Sequence, residues 1–84
     1  MKIEHALDWD KVSTDLRQQL SKIDYNPDLK RMLRNIEKMV TELSKLEVSF
    51  RRSGKYSILE DKVIEINTAI NHLEKLILMA QLMK

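Results

Sequence analysis

The chain contains no cysteine, which excludes a disulfide framework and any cysteine-liganded metal, and which fits a reducing, cytoplasmic setting. Gly54 is its one glycine, so no glycine-rich loop is present to cradle a phosphate. Pro27 is its one proline, which leaves little to interrupt regular structure. No apolar run approaches the roughly 20 residues of a membrane span. The longest, Leu76 to Ala80, has five. At the start of the sequence, Glu4, Asp8 and Asp10 fall where a secretory signal has unbroken apolar residues, so none is expected. Nor does any stretch alternate apolar and polar residues for long enough to form a strand. What remains is a charged helical sequence, 33% Asp, Glu, Lys and Arg, of a length suited to one small domain.

Helix signals fill this frame. Asp8 precedes Trp9, and Leu7 and Val12 have the spacing of a hydrophobic staple around it. Trp9, Val12, Leu16, Leu20 and Ile23 then trace one stripe, which gives a first helix over about 9–23, with Trp9 as its anchor. Residues 1–7 form a short lead-in. Asn26-Pro27-Asp28 combines a good N-cap, a preorganised first position and an acid at the positive end of the dipole, so a second helix starts at Pro27. Its heptad a positions are Leu29, Ile36, Leu43 and Phe50. Met32, Met39 and Leu46 fill d, and Leu33 and Val40 widen the stripe. Gly54 is the natural residue to end this helix, which is expected to reach about residue 52. Ser57-Ile58-Leu59-Glu60 reads as a capping box for a third helix over about 58–83. There Leu59, Val63, Ile66, Ile70, Leu73, Ile77 and Ala80 alternate spacings of four and three, one seam along one face.

The short links force antiparallel neighbours. The expected fold is all-α: a short N-terminal helix packed on a long antiparallel helical hairpin, in a coiled-coil-like bundle. The first helix is too short to cover the whole hairpin, so the end near Gly54 is expected bare. At the other end, Leu76, Leu78, Met79, Leu82 and Met83 make the third helix apolar on nearly every side, and Ile64 also lies off the seam. Helices apolar all round are normally buried all round. These residues are therefore assigned to self-association as a homodimer, with two other ways to cover them: residues 1–7 folding back, or another protein.

The charge is unevenly placed. The net charge is +2, but residues 27–55 hold eight Lys/Arg against four Asp/Glu. Arg31, Lys38, Lys45 and Arg52 recur every seventh residue, roughly 10 Å apart along a helix. Arg34 flanks them, and Arg51 and Lys55 join Arg52 near the turn. Such a stripe suits an acidic protein partner or nucleic acid, or is a solvated face. No aromatic residues interleave it as on a base-stacking platform.

Catalytic equipment is not evident. His5 and His72 lack the Glu-x-x-His or His-x-x-x-His spacing of a metal-binding bundle. Asp61 and Glu65 lie on a helix surface, and no histidine is placed to activate a serine. No cofactor or metal is expected. The sequence thus points to a non-enzymatic interaction module, a small regulator, inhibitor or adaptor that self-associates through its third helix. A nucleic-acid-binding protein using the basic stripe and a structural subunit of a larger hetero-complex are the alternatives.

Overall fold

The computed structural model describes residues 2–50 and 56–83. Gly54 and the tip cations Arg51, Arg52 and Lys55 lie outside the described residues, as do the side chains of Phe50, Ser57 and Ile58. Three helices follow a single 3-10 turn at Ala6–Asp8: α1 (Trp9–Ser21), α2 (Pro27–Phe50) and α3 (Tyr56–Leu82). The described residues contain no strand. α2 and α3 form the hairpin, and α1 packs against both in an elongated molecule with extents of 49 × 18 × 16 Å.

The start of α2 follows from its three opening residues. Asn26 Oδ1 accepts the amides of Asp28 at 3.1 Å and Leu29 at 3.2 Å, satisfying two donors that the first turn leaves open. Pro27, at the first helical position, has no amide to satisfy. α1 closes at Ser21, two residues before the expected Ile23. The chain then tightens, with the amides of Lys22 and Ile23 donating to Gln19 and Leu20. α3 begins at Tyr56, one residue ahead of the Ser57 expected to cap it.

The core is a single cluster. α3 contributes Ile66, Ile70, Leu73 and Ile77, all fully buried, on the seam its spacing predicts. α1 contributes Trp9, Val12 and Leu16. In α2 the most buried residues are Leu29, Leu33, Ile36, Val40 and Leu43, whereas Met32, Met39 and Leu46 are half-buried. The buried face of α2 is thus centred on heptad positions a and e instead of a and d. Two neighbours cause the rotation: α3 takes one side of the a row, and α1 with the segment before it takes the other.

That preceding segment departs most from expectation. Ile3 is fully buried and belongs to the core cluster. Its amide donates to Asn67 Oδ1 at 2.8 Å, and Asn67 Nδ2 donates back to the Ile3 carbonyl at 2.8 Å. Three residues on, the Ala6 amide donates to Glu47 Oε1 at 3.0 Å. Residues 3–8 therefore lie as a strap across α2 and α3 beyond the start of α1, over part of the hairpin expected to be bare. They do not fold over the far end of α3. The expected staple is absent as well, since Leu7 is 85% exposed while Val12 is buried. Asp8 makes no side-chain cap to α1. Its carboxylate turns back to accept the amides of Glu4 at 2.9 Å and His5 at 3.1 Å, closing the turn that aims Ile3 inward.

Candidate interaction surfaces

Two surfaces face away from the core. On α3 the buried seam leaves the opposite face free, and at its C-terminal end that face is apolar. Leu78 is 55% exposed, Met79 56%, Leu82 76% and Met83 85%. They occupy two consecutive turns, so they form one continuous patch. Leu76 separates from this group: it is half-buried and packs against the core cluster. Ile64 is exposed in line with Leu82, but five turns away, about 27 Å along the helix. Thr68, Asn71 and Lys75, all exposed, interrupt the line between them. Ile64 therefore belongs to a different surface, beside the strap.

The second surface is on α2. Arg31, Arg34, Lys38 and Lys45 are all exposed and lie within about 60° of arc at the helical 100° per residue, opposite the buried face. None of the four makes an ion pair or side-chain hydrogen bond among the described residues. Their neighbours are engaged instead. Lys30 sits 4.8 Å above the Tyr25 ring, a cation–π contact at the α1–α2 corner. Arg17 of α1 pairs with Glu37 of α2. Lys62 of α3 meets Glu42 of α2 at 3.4 Å and Glu65 at 4.0 Å. These exposed pairs contribute at most about 1 kcal/mol each, and less in salt.

Of the remaining ionisable groups, His5 and His72 are exposed. Among the described residues no three or more His, Asp or Glu side chains gather where they could hold a metal ion. Among the described residues, Asp8 is the group whose acidity is clearly altered. Its carboxyl lies below the ordinary 3.8, chiefly because the Glu4 amide, then the His5 amide, donates to the charged form.

A third feature went unread in the sequence. Asn67, Glu47 and Ile3 come together from α3, α2 and the strap, bounding a cleft of about 580 Å³ with Leu59, Val63 and Ile64. Asn67 directly follows the buried Ile66 at the edge of the apolar seam, where a polar residue is ordinarily just the start of the solvated face. No spacing rule pairs it with a residue 64 positions earlier.

No helix among the described residues is long and apolar enough to cross a membrane. Compared with protein-family models, curated proteins and solved structures, the chain has no match.

Proposed function

We propose that the chain is a non-enzymatic helical interaction module that self-associates through the C-terminal end of α3. The observation that carries this reading is the continuous exposure of Leu78, Met79, Leu82 and Met83 on the side of α3 away from its own core. The strap that precedes α1 is already engaged at Asn67 and Glu47. Apolar groups contribute about 25 cal/mol per Å² when removed from water, so covering four such side chains stabilises an assembly by several kcal/mol. A second copy offers the same patch, and a two-fold axis would bring the two patches together face to face. Four side chains fall short of the roughly 800 Å² per partner of a standard interface. The expected dimer therefore dissociates on dilution.

Solution mass by light scattering after size exclusion, across a hundredfold concentration range, tests this. A shift from one chain mass to two, abolished by Leu78→Glu, supports it. A single chain mass at every concentration overturns it and leaves the patch to a different protein in a hetero-complex.

The unpaired cations of α2 favour a second reading, in which Arg31, Arg34, Lys38 and Lys45 engage an acidic macromolecule while α3 is occupied by its twin. Titration of labelled duplex separates the two classes of partner. Binding at low salt that falls steeply with added salt identifies nucleic acid, and no binding at low salt leaves an acidic protein.

A further inference from the structure

The seat of Ile3 is built to read a peptide backbone. Asn67 contacts both main-chain groups of Ile3, and Glu47 contacts the main-chain amide of Ala6. None of these bonds depends on which side chains the strap carries. Selectivity resides in the pocket that buries the Ile3 side chain completely. Main-chain hydrogen bonds for affinity with a side-chain pocket for specificity is the division of labour by which proteins bind extended peptides. Within the strap, the Glu4 and His5 amides donate to the Asp8 carboxylate and the Asp8 amide donates to the His5 carbonyl, so its turn is held by its own residues.

The geometry points to this seat as a peptide-binding site that residues 2–8 occupy in cis, and that accepts in trans a segment of the same turned form bearing a basic residue next to a β-branched aliphatic one. The basic residue follows from charge. Among the described residues, the walls that α2 and α3 contribute to the cleft carry two carboxylates, Glu47 and Glu60, and no lysine or arginine. The resident segment already obeys the rule, with Lys2 next to Ile3 on the cleft. Among the described residues, the strap also leaves the cleft open along Leu59, Val63 and Ile64, so an incoming segment has apolar surface to contact before the strap has left. This site is separate from the α3 patch and stands whether or not the chain dimerises.

The test uses the full chain with Ile3→Asp, which vacates the seat, and a fluorescein-labelled peptide of residues 2–8. Saturable binding to this variant is expected, at least tenfold weaker binding to the wild type, whose own strap competes, and at least tenfold loss when Asn67→Ala is added to Ile3→Asp. A variant that stays helical by circular dichroism yet shows no saturable binding overturns the site, as does binding indifferent to Asn67→Ala. If Ile3→Asp does not fold, amide hydrogen exchange on the wild type decides. Ile3 and Ala6 amides exchanging at least tenfold faster than those of Ile70 and Leu73 show a strap that opens on its own. Equal rates make it an integral part of the core and overturn the proposal.

Discussion

Asn67, on a helix, gives Ile3 the pair of hydrogen bonds that an adjacent β-strand would give it: Oδ1 accepts from the Ile3 amide and Nδ2 donates to the Ile3 carbonyl, both at 2.8 Å. This solves a specific difficulty. A buried residue outside regular structure carries an amide and a carbonyl that must find partners away from water. One side-chain amide supplies both, so Ile3 can be driven into the hairpin without a buried polar group left over.

The first consequence is energetic. Asn67→Ala removes both partners at once and is expected to lower stability by about 1–3 kcal/mol, the cost of leaving buried polar groups unsatisfied. Asn67→Asp keeps the acceptor and loses the donor, so it too is destabilising. Because Asn67 and Ile3 act together, the double variant with Ile3→Ala should cost less than the sum of the singles by about 0.5 kcal/mol or more. Urea denaturation of the four proteins in that cycle measures it. A strictly additive result would show that the two residues contribute independently.

Ile3 and Leu7 invert the usual reading of two aliphatic residues near a helix start. Leu7 has the staple position, yet it is exposed, whereas Ile3 lies further from the helix and is fully buried. Ile3→Ala should cost about 2 kcal/mol or somewhat more, and Leu7→Ser should stay within about 0.5 kcal/mol of the wild type. In a domain of this size, 1 kcal/mol corresponds to roughly 4–8 °C in Tm, so a thermal melt resolves the pair. Equal Tm losses would contradict the strap arrangement.

Acid should loosen the strap before it melts the bundle. The Asp8 carboxyl titrates below its ordinary 3.8 because the amides of Glu4 and then His5 donate to the ionised form. A depressed folded pKa means the contribution is present above 3.8 and disappears as pH falls through the lower, folded value. Amide proton shifts of Glu4 and His5 should therefore move together below pH 3.8, while those of Ile70 and Leu73 hold. Asp8→Asn should abolish that step. A midpoint at or above 3.8 would mean that the carboxylate does not hold these amides.

Most of the architecture was legible because it is periodic. The four-three spacing on α3 marks the residues that are buried there, and Asn26-Pro27 marks the start of α2 from local chemistry alone. What stayed hidden depends on contacts far apart in sequence. Nothing near Ile3 signals that it will meet Asn67, and a polar residue beside a seam has no local signature of being a clamp. The tilt of α2 toward its e row, Leu33 and Val40, had the same origin, since it is set by what packs against the helix. Leu76 and Leu78 show the limit of composition: both sit in the same apolar run, but one faces the core and the other faces away.

Ile77 and Leu78 are sequence neighbours about 100° apart around α3, one buried and one exposed, and that allows the core and the proposed interface to be separated in one experiment. Ile77 is fully buried within the chain, so Ile77→Ala should cost about 2–5 kcal/mol at every protein concentration. Leu78 is exposed in the isolated chain, so Leu78→Ala should leave the dilute protein within about 0.5 kcal/mol of the wild type. Association with a second copy stabilises the folded state by mass action, so the wild-type Tm should climb with concentration. The Leu78→Ala protein should climb less, and the gap between the two curves should widen as concentration rises. Parallel curves, with the same offset at micromolar and millimolar protein, would show that Leu78 contributes nothing to association and would remove α3 as the contact between copies. A widening gap for Leu78→Ala beside a constant one for Ile77→Ala would place the interface on the outer side of the same turn whose inner side holds the fold together.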